Sequence, residues 1–216
     1  MAKKQARLAI VGRDLMAAAL LGPGPALEAA IDQLTIFDED SPQNRISPTD
    51  LHQLADRVLE SSPASLRLAL LRALARHASI TAQSLCAYGL PTMWEHEESL
   101  ELAEMLSRSR STQLRSHLQQ SLIDLTPQQQ QRLCQNWRES PHASQRAIAA
   151  RVSIGETESK ALSILTTLAS DEDPNVRQAV VQALLDLANR SPGRILQTLQ
   201  SWTEAPDKHK LWVMTR

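Results

Sequence analysis

Repeatedly in this chain a residue with a side-chain oxygen stands directly before a proline, as at Ser47-Pro48, Ser62-Pro63, Thr126-Pro127, Ser140-Pro141, Asp173-Pro174 and Ser191-Pro192. Proline suits the first helical position, because the N–H it lacks would find no intrahelical partner there. The oxygen before it can accept a hydrogen bond from a free amide of the first turn. Each pair therefore predicts a helix start, and Ala205-Pro206 is a version without the oxygen. Thr126-Pro-Gln-Gln129 and Ser47-Pro-Thr-Asp50 also have capping-box spacing.

Between these marks the chain is rich in Ala, Leu, Gln, Arg and Glu, and aromatics are only 3%, which favours helix over strand. The predicted helices lie at roughly 3–21, 25–36, 48–60, 63–77, 80–88, 95–108, 111–124, 127–138, 141–153, 157–169, 174–189, 192–203 and 206–215. "GPGP" at 22–25 reads as a stiff corner, and "DEDSPQNRISP" at 38–48 as a flexible loop. Residues 1–37 are then N-terminal helices, and 49–216 a run of helical repeats within a single array.

The repeat shows at the helix starts. Residues 176–184 read "VRQAVVQAL", 66–74 "LRLALLRAL" and 114–122 "LRSHLQQSL", with "QRAIAARVS" at 145–153 a degraded copy. Their arginines are Arg67, Arg115, Arg146 and Arg177, the last three 31 residues apart. A fixed period of helix-pair length is the signature of a solenoid. In the 174–189 helix, Val176, Val180, Ala183, Leu184 and Leu187 form one apolar stripe, and Val181, Leu185 and Ala188 an adjacent one. So wide an apolar surface needs neighbours on more than one side, as stacked units provide.

"DEDPNVRQAVVQALLDLA" resembles a HEAT repeat, whose second helix often begins Asp-Pro-x-Val-Arg. The likeness is good over about 160–204, weaker at 62–77 and 111–154, and faint before residue 60. More narrowly, "VRQAVVQALLDLANRSPGRILQTLQSW" resembles the C-terminal part of HEAT-like DNA alkylation repair proteins, a family that includes glycosylases removing alkylated purines. The resemblance implies an all-α, right-handed HEAT-like solenoid with a concave surface able to cradle a duplex. Such glycosylases pair an aromatic cleft with a carboxylate. Here Trp94, Trp137, Trp202 and Trp212 are scattered, and none has an Asp one turn away; Glu98 follows Trp94 by four residues, inside an acidic run. The resemblance thus carries the fold across, and no catalytic residue.

Two sets of cations are candidates for a binding surface. Arg67, Arg115, Arg146 and Arg177 could line one face and hold phosphates or an acidic peptide. The competing expectation is that each ties its repeat to an acidic residue or a helix-end carbonyl. Arg190, Arg194, Lys208 and Lys210 flank Trp202 and Trp212, a mixture that can grip nucleic acid by charge and stacking. Core packing is the alternative for Trp202, since Leu196, Leu199 and Trp202 follow helical spacing. Leu211, Trp212, Val213 and Met214 read as an exposed apolar edge: either a truncated array or a contact for a partner or a second copy.

The acidic stretch "EHEESLELAE" at 95–104 complements a helix start, and His96-Glu97 lacks the second His of a zinc motif. The six histidines share no metal-ligand spacing, so neither metal nor cofactor is expected. Cys86 and Cys134 read as buried, reduced thiols, and no apolar run reaches membrane-spanning length, which points to the cytoplasm and no membrane partner. The chain carries 23 Lys+Arg against 24 Asp+Glu. Phosphate neutralisation drives non-specific nucleic-acid affinity, so this near-neutrality puts a non-enzymatic scaffold holding a protein partner first. The alternative is a duplex-DNA-binding protein of the alkylation-repair type; if the chain is an enzyme, it is an alkylpurine DNA glycosylase.

Overall fold

A computed structural model describes residues 2–38, 45–155, 157–204 and 207–216. The loop expected at 38–48 lies largely outside them, as does Ala205-Pro206. Thirteen α-helices follow one another among the described residues: α1 (Ala2–Leu21), α2 (Pro25–Asp32), α3 (Pro48–Ser61), α4 (Ala64–Arg76), α5 (Ile80–Gly89), α6 (Glu97–Ser107), α7 (Thr112–Leu122), α8 (Pro127–Trp137), α9 (Ala143–Val152), α10 (Glu158–Leu168), α11 (Pro174–Ala188), α12 (Pro192–Glu204) and α13 (Lys208–Met214). Short 3₁₀ turns cover Gln33–Phe37, Leu90–Met93 and Ser153–Gly155. No described helix is long and apolar enough to cross a membrane.

Most helix starts form as the local chemistry dictates. Ser47 accepts the Asp50 N–H and donates its hydroxyl to the Asp50 carboxylate. Thr126 and Gln129 complete a reciprocal capping box at α8. Asp173 accepts the Asn175 N–H at 2.7 Å. Two pairs depart from expectation. The Ser62 hydroxyl turns back to the Val58 carbonyl, so α4 starts without a side-chain cap. Ser140 accepts the His142 N–H and donates to Gln145, so Pro141 belongs to the turn, and α9 begins at Ala143. In both cases the serine hydroxyl is donated to a competing acceptor, the Val58 carbonyl or the Gln145 side chain.

The chain divides into two compact units, Met1–Ser121 and Leu122–Arg216. In the first, α1 packs on α2 and α3, and α5 packs on both α3 and α4. Helix α5 is enclosed on nearly every side, with Ala82, Leu85, Cys86, Ala87 and Tyr88 all buried. Gly89 permits that approach: a Cβ there would lie 2.7 Å from Leu59 Cδ1 and 2.8 Å from Leu71 Cδ2. Burial pushes the Cys86 thiol well above its ordinary range, because a thiolate would be desolvated.

In the second unit α11 is the central helix. It packs on α9, α10, α12 and α13. Val176, Val180, Ala183, Leu184 and Leu187 are buried, as the first stripe predicts. The second stripe is only partly covered: Val181 is buried, but Leu185 remains 53% exposed and Ala188 is partly exposed. Trp137 and Cys134 of α8 are buried, and the Cys134 thiol donates to the Ala149 carbonyl of α9 at 3.5 Å. At the last helix, Val213 is buried rather than part of an exposed edge, while Leu211 is 43% exposed. The docking of α13 on α11 and α12 covers one side of that helix and leaves the other in solvent.

Candidate nucleic-acid interface

The four repeat arginines share a local geometry. Each stands in the first turn of its helix and reaches back to a carbonyl of the turn just before it. Arg67 Nε donates to Ser62 O at 3.2 Å, and Arg115 Nη1 to Ser109 O at 2.5 Å. Arg146 Nη1 donates to Ser140 O at 2.7 Å, and Arg177 Nη1 to Asp171 O at 2.7 Å and Glu172 O at 2.9 Å. For Arg115, Arg146 and Arg177 the acceptor is six residues upstream, so the period of 31 residues repeats a contact as well as a residue type. The turn carbonyls that follow a helix end lack intrahelical donors, and a guanidinium with five N–H groups satisfies them while keeping others free.

What the remaining N–H groups do separates Arg146 from Arg177. Arg146 makes a bidentate pair with Asp171, Nε to Oδ2 at 2.6 Å and Nη2 to Oδ1 at 3.0 Å. This spans from α9 to the turn before α11 and links consecutive helix pairs. The two side chains are 19% and 7% exposed. Burial pushes the Asp171 carboxyl up, but the Arg146 hydrogen bonds, the Asp173 N–H and the charges of Arg146 and Arg177 outweigh it and hold the carboxyl below its ordinary range.

Arg177 instead lies over the Trp212 ring, its Cζ 5.0 Å from the centroid. Arg216 approaches the same ring with its Cζ at 5.1 Å. The indole of this partly exposed tryptophan thus has two guanidiniums within cation–π range. Helix α13 is held by its first residues: Asp207 accepts the His209 N–H at 2.8 Å. The Ser170 hydroxyl and that His209 N–H lower the Asp207 carboxyl below its ordinary range, so Asp207 also ties α13 to the end of α10. Lys208 and Lys210 lie on this helix; Lys208 is exposed and Lys210 partly so.

The other candidates fall elsewhere. Arg194 of α12 is exposed and engages Glu158 at 3.7 Å and the Ser159 hydroxyl at 3.2 Å, both of α10. Arg190 donates to the Ile154 carbonyl at 3.2 Å. Trp202 is buried in the core, with no acceptor for its indole N–H among the described residues. Glu98, the carboxylate four residues after Trp94, has both oxygens on Arg72, which lowers its carboxyl.

Sequence reasoning did not single out the stack of Arg177 and Arg216 on Trp212. Arg216 is four residues beyond Trp212, a spacing that could have signalled it, but Arg177 is brought there only by the packing of α13 on α11.

No protein-family model matches this sequence, and no curated protein matches it. Solved structures do. AlkD2 from Streptococcus mutans aligns with a TM-score of 0.75 at 13% identity, covering 87% of this chain and 95% of that one. The smu.31 protein of Streptococcus mutans aligns with a TM-score of 0.72 at 14% identity, covering 86% and 94%. The fold of this chain is therefore all-α and HEAT-like, similar to that of AlkD2.

Proposed function

We propose that this chain binds duplex DNA as a HEAT-like protein of the alkylation-repair type, with Trp212 and the cations around it as the contact surface. The observation that carries the reading is the Trp212 ring flanked by Arg177 and Arg216. A partly exposed indole with cations on its helix offers a sugar–phosphate backbone both charge and a flat apolar surface. Lys208, Lys210 and Arg194 add exposed or partly exposed charge from the same unit. The fold shared with AlkD2 and the resemblance of residues 176–202 to alkylation repair proteins support DNA over a protein partner, which near-neutral charge alone had favoured.

The role proposed is binding without base removal. A glycosylase needs a carboxylate to stabilise a developing sugar cation. Asp171, whose main-chain carbonyl takes Arg177, has both carboxylate oxygens on Arg146. Asp207 is spent on capping α13.

Fluorescence anisotropy with a plain duplex and with one carrying an alkylated purine, at two salt concentrations, tests this. The expected result is salt-sensitive binding to both that weakens in Trp212→Ala, with no base released. Absence of binding at low salt would overturn the reading and restore a protein-holding scaffold as the working model. Release of the alkylated base would overturn only the non-catalytic part.

A further inference from the structure

A second polar surface of the C-terminal unit shares no residue with the Trp212 group. Gln131 and Gln135 are one turn apart on α8, and Arg138 follows at its C-terminal cap. Lys160, Ser163 and Ile164 occupy one face of α10 by the same spacing. Together these six line a pocket of about 160 Å³. At roughly 30 Å³ per water, that is the room of about five waters, enough for a tetrahedral oxyanion with part of its hydration. None of the six is acidic.

Three features make this more than a solvated cleft. Lys160 Nζ donates to Gln131 Oε1 at 2.9 Å, which draws the ammonium toward α8. With its oxygen turned to Lys160, Gln131 has its NH₂ to offer an anionic ligand. Arg138 pairs through Nη2 with Glu139 at 3.1 Å, but its Nε–H is buried with no acceptor among the described residues. A donor enclosed without a partner is costly, so a shift of the 41% exposed Arg138 side chain that lets an acceptor oxygen reach it is favoured. The Glu139 carboxylate is 74% exposed, so it is screened by water and leaves the Arg138 charge largely effective toward the pocket. The C-terminal end of α8 contributes a partial negative charge of about one half, which two full cations outweigh.

We infer that the pocket between α8 and α10 binds a phosphate group, with Lys160 and Arg138 as its charged donors and Gln131, Gln135 and Ser163 as its neutral ones. Ile164 forms the apolar floor. The group is a free phosphate or phosphomonoester, or a phosphate of a nucleic-acid backbone. The site does not depend on the DNA reading above, because it requires only the local donors.

Calorimetric titration of the full chain with inorganic phosphate, at low ionic strength in a chloride background, tests it. The expected result is saturable binding of one phosphate per chain, weakened at least about tenfold by Lys160→Ala and again by Arg138→Lys. The lysine variant keeps the charge and removes the buried Nε–H, so a merely electrostatic surface would not register it. Lys160→Ala removes a side chain whose ammonium donates to Gln131 and leaves Arg138 in place, so it decides the matter if the Arg138 variant fails to fold. Unsaturable heats, or equal affinity in wild type and Lys160→Ala, would overturn the site. The source is read from duplex binding by Lys160→Ala: a parallel loss assigns a backbone phosphate, and unchanged duplex binding with lost phosphate binding assigns a free one. Both results support the pocket, and neither depends on Trp212.

Discussion

Arg146 and Arg177 occupy the same position of successive repeats and make the same contact to a turn carbonyl six residues upstream, yet they end in different chemistry. The Arg146 guanidinium continues onto a carboxylate that is almost buried. The Arg177 guanidinium continues onto an indole that is partly open to solvent. A charge answered by a carboxylate in the interior stabilises the stack and has little left for a ligand. A charge resting on an aromatic face retains its field, because the ring's quadrupole polarises it without neutralising it. The pair shows that a repeat position does not have one role along the array. The next unit supplies the partner, and the partner sets the role.

The largest effect should come from Asp171→Ala. It leaves the Arg146 guanidinium without its carboxylate in a mostly buried setting, and we expect a loss of about 3 kcal/mol in chemical unfolding. Duplex affinity measured well below the melting transition should stay within about twofold. A large affinity loss in the folded variant would erase the distinction between the two arginines.

Trp212→Ala comes next, on the other side of the contrast. Removing a stacking platform costs roughly 1–3 kcal/mol of nucleic-acid affinity where a base or sugar rests on it. Anisotropy titration should therefore show a drop of about fivefold or more. Unchanged affinity would leave the indole as a packing element for α13.

Arg177→Lys should cost less, about 1 kcal/mol in affinity and a similar amount in stability, since charge remains but the planar group and its two turn contacts go. Parallel change in Arg146→Lys, read by the same anisotropy assay, would argue against separate roles.

Acid titration follows. Asp171 is held below its ordinary range in the folded chain, so the unfolded chain binds the proton more readily. Its contribution is complete above the ordinary carboxylate value of about 3.9 and is lost as pH falls through the lower folded value. The wild-type stability curve should fall more steeply there than that of Asp171→Asn. Equal slopes would mean the Arg146 pair is not what lowers that group.

Arg115→Ala should have the smallest effect, about 1 kcal/mol of stability, because the contact seen for it is to a turn carbonyl, Ser109 O.

Much of the fold was legible because helix formation is local. Proline and its neighbouring oxygens place α3, α8 and α11 within a residue or two, and the apolar stripe of α11 predicts five buried positions that are all buried. The failures are also local in form but not in cause. Ser62 and Ser140 have the same dipeptide as Ser47, and nothing in the dipeptide says that the Val58 carbonyl or the Gln145 side chain will take the hydroxyl. Leu185 has the spacing of a core residue, and its exposure depends on which helices reach α11 and where they stop.

The candidate site was legible as residue types and not as an arrangement. Trp202 and Trp212 both stand among cations at apolar spacing, yet one is enclosed by the unit and the other lies beneath Arg177, 35 positions earlier in the chain. Asp171 and Arg146 are 25 residues apart, and no periodicity distinguishes their pairing from the one Asp171 makes through its carbonyl with Arg177.

The sequence alone settled that the chain is helical, where most helices begin, and that arginine recurs at one register, because each of these depends on contacts within a few residues. Packing settled which arginine is neutralised, which of Trp202 and Trp212 meets solvent and which donor of Arg138 is left without an acceptor among the described residues. Those outcomes depend on distances between helices far apart in the chain, and a burial or charge balance is a property of the neighbours as much as of the residue.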